Sequence, residues 1–353
     1  GQNNLGACLL ALGDLSAAEA AFRKALELDA GYVGARLGLA DIHLRRNQIL
    51  KAEEEVMTAE ALEPGNLQVK SLMANVHLAR NEYRAAIAAL EAVVEATPED
   101  ARARCNLGTA CRMEGSFPEA EQQYRAALAI KPAHTDAHYG LGQTLRAVGQ
   151  LDQARQAFAD ALKIDPAHPA TRLALAEIAR QGKDLKTAEA QYLKILEAQP
   201  VHVQALEELA EILLLQKRFK ELEKRLSDAA LLNPDSVAIK MILGDAQLKT
   251  NNPAAALASF QAILPKLAAE QRGPVLQRIA ICQGKSGDHR AALGTAQGIL
   301  KDNPNDLPAL RVAGAASEGL RNAAQATGYY KKILELQPND AFAQQALKRL
   351  GLR

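Results

Sequence analysis

The chain has 353 residues, of which 48% are hydrophobic and 4% aromatic, with no Trp and a formal net charge of +1. A balance this close to neutral excludes a global field that would gather nucleic acid or an anionic membrane without sequence selectivity. No apolar run approaches the ~20 residues that a membrane-spanning helix needs, and the abundance of Ala, Leu, Glu, Gln, Arg and Lys predicts an all-helical chain.

Taken in order, the sequence repeats itself. A truncated first unit carries Leu5-Gly6, Leu9, Ala18, Phe22 and Ala25, with Ala30 where later units have proline. Pro64, Pro98, Pro132, Pro166, Pro200 and Pro234 then follow at intervals of 34, closing units that begin at Val33, Leu67, Ala101, Thr135, Pro169 and Val203. A fixed period in this range marks stacked supersecondary units. Each proline lacks an amide hydrogen and biases its predecessor away from helix, so it ends a second helix and turns the chain.

Within a unit, Gly6, Ala40, Ala74, Gly108, Gly142, Ala176, Ala210 and Gly244 are small enough to let two helices approach, as are Ala18, Ala52, Ala86, Ala120, Ala154 and Ala188 on the second helix. Phe22, Val56, Leu90, Tyr124, Phe158, Tyr192, Leu226 and Phe260 are predicted to fill the space between them. Ser116, Phe117, Pro118 and Glu119 read as a capping box with Pro in the first turn. In the seventh unit Leu222 stands where the small alanine belongs and should widen that helix crossing.

The register breaks once, between Pro234 and Pro304, where Pro265 falls within the end of a second helix. The organisation expected is a regular array of seven repeats over 1–236, a lengthened eighth over 237–272, two divergent repeats over 273–340 opened by Pro274 and Pro308, and a capping helix over 341–353. In the cap, Phe342 and Leu347 face inward and Lys348, Arg349 and Arg353 lie at its end.

This pattern resembles the tetratricopeptide repeat family, whose signature runs Leu-Gly, aromatic, Ala, aromatic, Ala and Pro. The resemblance covers essentially the whole chain. It implies an all-α fold, a right-handed α-solenoid or superhelix of about ten helix-turn-helix repeats plus a C-terminal capping helix. One departure is consistent: the Trp frequent early in the family's first helix is replaced by Arg36, Lys70, Arg104, His138 and Arg172.

The resemblance also implies a protein–protein interaction scaffold, not an enzyme, that holds an extended peptide or partner helix in a concave groove. The family's groove positions are the second, fifth, ninth, twelfth and thirteenth of each repeat. Carried over, the candidate partner-binding residues are Arg102, Thr109, Arg112, Tyr139, Gln143, Arg146, Glu177, Arg180, Glu207, Glu211 and Asp245. Arg112, Arg146 and Arg180 share the twelfth position and Glu177, Glu211 and Asp245 the ninth, so the groove reads as basic in the middle and acidic after it. An acidic protein or peptide would meet the middle repeats, and Tyr139 would stack on a ligand or an arginine. The competing reading is a solvated, self-neutralising face, for instance Glu177 with Arg180. The Lys of the family's carboxylate clamp is missing at the fifth position and its Asn stands at the ninth only as Asn75, and an asparagine ladder reduces to Asn4 and Asn106.

No catalytic constellation, phosphate loop or cofactor site is found. His43 and His77 occupy a core phase, whereas His134, His168 and His202 recur at the last loop position, too far apart between repeats to ligate one metal. In the tighter run His134, Asp136, His138 the acid points away from the shared face, so no metal is expected there. Cys8, Cys105, Cys111 and Cys282 form no paired motif and read as packing residues of a reducing compartment. A cytoplasmic location is expected, or a periplasmic one if a leader was removed. The alternatives are the substrate-selecting arm of a larger, glycosyltransferase-like enzyme and a bacterial envelope factor for exopolysaccharide or pilus assembly. The truncated first repeat leaves Leu5, Leu9 and Leu12 open, which would permit homo-oligomers.

Overall fold

A computed structural model of the protein describes residues 1–351. Arg353, placed at the end of the cap above, lies outside the described residues. The chain divides into two compact units, Gly1–Gly182 and Lys183–Arg353. The first contains α1 (Gln2–Ala11), α2 (Leu15–Leu28), α3 (Val33–Arg45), α4 (Ile49–Leu62), α5 (Leu67–Ala79), α6 (Tyr83–Ala96), α7 (Ala101–Glu114), α8 (Phe117–Ile130), α9 (Thr135–Ala147), α10 (Leu151–Ile164) and α11 (Pro169–Gln181). The second contains α12 (Leu185–Ala198), α13 (Val203–Leu215), α14 (Phe219–Leu232), α15 (Val237–Lys249), α16 (Pro253–Ile263), α17 (Arg272–Lys285), α18 (His289–Asp302), α19 (Leu307–Gly319), α20 (Ala323–Leu336) and α21 (Ala341–Arg349). No strand occurs among the described residues.

The punctuation of these helices follows from local chemistry. Each residue before a closing proline leaves the helical region, as at Lys131 (φ −131°, ψ 90°) and Asp165 (φ −124°, ψ 91°), because the proline ring crowds an α-helical predecessor. The turn inside each repeat needs one left-handed residue. Gly13, Gly115, Gly149 and Gly287 supply it without strain, whereas Asn47, Asn81, Asn251, Lys183, Lys217 and Arg321 adopt it with φ between 56° and 61°.

Packing is organised by the large residue of each second helix. Tyr124 and Phe158 are fully buried. A β-carbon added at Gly108 would lie 3.1 Å from the Tyr124 ring, and one at Gly140, on the next first helix, only 2.3 Å from it. The ring is thus clasped by two backbones. Phe22 is held in the same way between Gly6 and Gly38. Burying such a ring stabilises by roughly 1.5–3 kcal/mol.

Three details qualify the sequence reading. The capping box at α8 does not form: Ser116 makes no cap bond, and its Oγ donates instead to Glu114 Oε2 at 2.6 Å. α13 and α14, with Leu222 at the small position, meet less closely than α15 and α16 or α17 and α18. At Pro265 the second helix ends early. α16 stops after 11 residues where the other second helices run 14, because proline cannot donate to the carbonyl four residues back. Two single 3₁₀ turns, Leu264–Lys266 and Ala269–Gln271, then lead into α17.

Within each unit, successive first helices touch one another: α1 with α3, α3 with α5 and α7 with α9 in the first, α13 with α15 and α17 with α19 in the second. The first helices therefore line the closer-spaced face, and it is there that the groove positions fall. At the start of the chain Leu5 and Leu12 are exposed, by 50% and 82%, whereas Leu39 and Leu107, at the phase of Leu5 in inner repeats, are buried.

Candidate functional site

Four of the residues that replace the family's early Trp, Arg36, Arg104, His138 and Arg172, form a clamp. Arg36 Nη2 donates to the Ala30 carbonyl at 2.8 Å, Arg104 Nε to Pro98 at 2.8 Å, and Arg172 Nε to Pro166 at 3.0 Å. His138 Nε2 lies 2.9 Å from the Pro132 carbonyl, and Gln344 Nε2 donates to Pro338 at 3.0 Å. Each bond ties a first helix to the turn six residues before it. Pro has a carbonyl but no donor, so a long donor at this position satisfies the closing turn where an indole would pack.

The recurrent loop histidines sit at helix starts. His168 Nδ1 accepts from the Thr171 amide at 3.3 Å and His202 Nδ1 from the Ala205 amide at 3.2 Å, so both act as N-caps. His134 makes no such bond, and its Nε2 is buried without a partner. Burial lowers its pKa, opposed by the nearby Asp136 carboxylate.

The predicted groove residues do not form one uniform surface. Thr109 is committed to the fold: its hydroxyl donates to the Cys105 carbonyl at 3.0 Å and meets the Tyr124 hydroxyl at 3.0 Å. Tyr139 is likewise occupied, its hydroxyl accepting from Gln143 Nε2 at 2.7 Å and its ring meeting His168 edge-on at 5.4 Å and Phe158 at 5.9 Å. Gln143 is thereby engaged as well. Arg146 forms an ion pair with Glu177 of the next repeat, so Glu177 pairs backward and not with Arg180 as the helix spacing suggested. Asp245 is gripped bidentately by Arg278, at 2.7 and 3.1 Å. Arg180 is half-buried and Glu207 and Glu211 are exposed; Arg180 and Glu211 each interact with other residues.

Arg102 and Arg112 are different. Arg102 is exposed on the first turn of α7, and no carboxylate pairs with it. Arg112 is half-buried in the last turn beside the Tyr124 hydroxyl, its Nε enclosed without a partner and its Nη2 meeting Met113 Sδ at 3.6 Å, with no carboxylate paired to it. Two cationic heads at opposite ends of one inner-face helix can accept anionic groups spaced along an extended chain.

Sequence reasoning missed an apolar groove in the second unit. It lies between α17, α19 and α21, has a volume of about 430 Å³, and is lined by Ile281, Gly284, Val312, Ala315 and Phe342 with Lys285 at its rim. The signal was present at the ninth and twelfth positions, where Ile281, Gly284 and Ala315 replace the polar residues of the middle repeats. No described helix is long and apolar enough to cross a membrane.

Two sequence profiles of the tetratricopeptide repeat match the chain, one over residues 71–135, 139–200, 173–221 and 223–271 and the other over 9–76 and 112–161. No curated protein matches it. Among solved structures the chain is similar to YrrB, a TPR protein with an unusual peptide-binding site, at 25% identity over 48% of this chain and 88% of that one, with a TM-score of 0.37. It is similar to PilF of Pseudomonas aeruginosa at 22% identity over 61% and 97% of the two chains, with a TM-score of 0.46. It is also similar to PilW, a widely conserved type IV pilus biogenesis factor, at 22% identity over 60% and 96%, with a TM-score of 0.52. At that identity the likeness to PilW is one of fold.

Proposed function

This chain belongs to the tetratricopeptide repeat family, and from that premise we propose that it is a non-catalytic scaffold whose first-helix face holds an extended peptide or a partner helix, with acidic residues of the partner meeting Arg102 and Arg112. The observation that carries this reading is the state of Arg112. Its guanidinium sits on the inner face, part-buried and with no carboxylate partner, while the equivalent Arg146 is neutralised by Glu177. A part-buried cation without an anion is a standing cost that an acidic ligand removes.

The reading is tested by fluorescence polarisation with a labelled Gly-Glu-Glu-Glu-Glu-Gly peptide. Wild-type protein should bind it with an affinity that falls as salt rises, and Arg102→Glu with Arg112→Glu should weaken binding by at least tenfold while the circular dichroism spectrum stays unchanged. Equal affinity in wild type and double variant would remove the basis for placing the partner there.

A further inference from the structure

We infer that the groove between α17, α19 and α21 is an anchor pocket for one large apolar side chain of the bound peptide, with an acidic residue beside it on Lys285. This rests on the reading that the first-helix face holds an extended peptide, and it adds what that peptide must carry. The space exists because of residue size. At the ninth and twelfth positions the middle repeats carry Gln143 with Arg146 and Glu177 with Arg180, whereas the ninth repeat carries Ile281 with Gly284 and the tenth has Ala315 at its ninth position. Shortening these side chains leaves an open volume of about 430 Å³ with an apolar floor.

The pocket has a built end. Phe342, the second residue of α21, does not face inward as the sequence suggested: it is 39% exposed and stands edge-on against Tyr330 at 5.9 Å. Its position is fixed from behind, because Asp340 accepts from the Ala343 amide at 2.8 Å and pairs with Arg311. The cap thus presents an aromatic wall held by its own N-cap. A cavity of this size is at the small end of ligand sites and suits a single aromatic or branched aliphatic anchor.

Charge selects what flanks the anchor. The ionisable side chains lining the pocket are basic, Lys285, Arg311 and His289, whose Nδ1 is buried without a partner. Asp340 neutralises Arg311, while Lys285 is exposed in the last turn of α17 with no carboxylate partner. One uncompensated cation at the rim of an apolar pocket is complementary to an apolar residue next to Asp or Glu, and it repels a basic flank.

The probe is a labelled Gly-Ser-Phe-Asp-Ser-Gly peptide, compared with its Phe→Ala and Asp→Lys versions and with the tetra-glutamate peptide used above. The Phe-Asp probe should bind the full chain, and its Phe→Ala form should bind about tenfold to a hundredfold more weakly, the range expected for burying one aromatic side chain. Gly284→Leu adds bulk at the pocket lining, where a β-carbon meets only Ala292 Cβ at 3.8 Å, an ordinary contact, and Leu favours helix over Gly. It should abolish Phe-Asp binding and leave tetra-glutamate binding intact. Lys285→Glu should weaken the Phe-Asp probe at least fivefold and bind the Phe-Lys form better than wild type does. Loss of both probes from wild type would overturn the peptide-holding reading itself. Tetra-glutamate binding with no Phe-Asp binding, or Phe-Asp binding unaffected by Gly284→Leu, would overturn the anchor pocket alone.

Discussion

The clasped rings allow the packing of a repeat to be measured by making one substitution in two environments. At Gly142, inside α9, a β-carbon would lie 2.5 Å from Phe158 Cε1, 2.6 Å from Cδ1 and 2.9 Å from Cζ, and Phe158 is fully buried with nowhere to retreat. At Gly294, inside α18, a β-carbon meets nothing within 4 Å. Gly→Ala in a helix interior gains about 0.5–1 kcal/mol from reduced backbone entropy at either site. Overpacking a close-packed core costs about 1–3 kcal/mol, and that term exists only at Gly142. Gly294→Ala should therefore stabilise α18 by about 0.5–1 kcal/mol, while Gly142→Ala destabilises α9 and α10 by about 1 kcal/mol, a difference of about 1–3 kcal/mol between the two. A long array need not unfold in one step, so the assay is local. Amide hydrogen exchange by mass spectrometry should show roughly fivefold faster opening over α9 and α10 in the first variant, the kinetic equivalent of about 1 kcal/mol, and slower opening over α18 in the second. Equal and favourable shifts at both glycines would refute the ring-clasping account.

Other consequences follow from single residues. Lys217 holds φ 57° in the turn before α14, so Lys217→Gly should raise local stability by up to about 1 kcal/mol, read as a higher thermal midpoint. Burial pushes the Cys105 thiol up to about 12 and those of Cys111 and Cys282 to about 11, while Cys8 is exposed; iodoacetamide at pH 8 should label Cys8 alone until urea opens the fold. Two carboxylates hold the cap: the Ala343 amide and then Arg311 lower the pKa of Asp340, and Arg349 lowers that of Glu318. Depressed carboxylates contribute stability that is present above their unfolded values, near ~4, and lost as pH falls through the lower folded values. Protection over 341–349, corrected for the slower intrinsic exchange at acid pH, should fall, and Asp340→Asn should loosen α21 already at pH 7.

The repeat made much of this fold legible. Proline spacing located every second-helix end from Pro64 to Pro234, and Gly108 with Tyr124 marked a packed pair, because a fixed period turns each local preference into a test repeated many times. What stayed hidden were contacts that depend on a side chain choosing between neighbours. The Ser116 hydroxyl could accept from an α8 amide or donate to a carboxylate, and Glu114 won. Thr109 occupies a groove position by number, yet the adjacent Tyr124 hydroxyl claims it. A family's position table carries no information about such competition.

The arginine ladder shows where the missing information lay. Arg146 pairs with Glu177, 31 residues on, and Glu318 pairs with Arg349 at the same separation with the charges reversed, 3.2 Å apart. The twelfth residue of one repeat thus reaches the ninth of the next, and what stands there decides whether a charge is spent inside the array. For Arg146 it is a carboxylate. For Arg112 it is Gln143, neutral and already donating to Tyr139. A second rule runs from the fifth residue to the last loop residue of the same repeat, 29 on: Tyr139 meets His168, Gln277 donates to Asp306 at 2.7 Å, and Arg311 pairs with Asp340. Equal position within a repeat therefore does not mean equal availability. Groove chemistry in a solenoid has to be read in pairs across neighbouring turns, and by that reading Arg112 is set apart from Arg146 in the sequence itself.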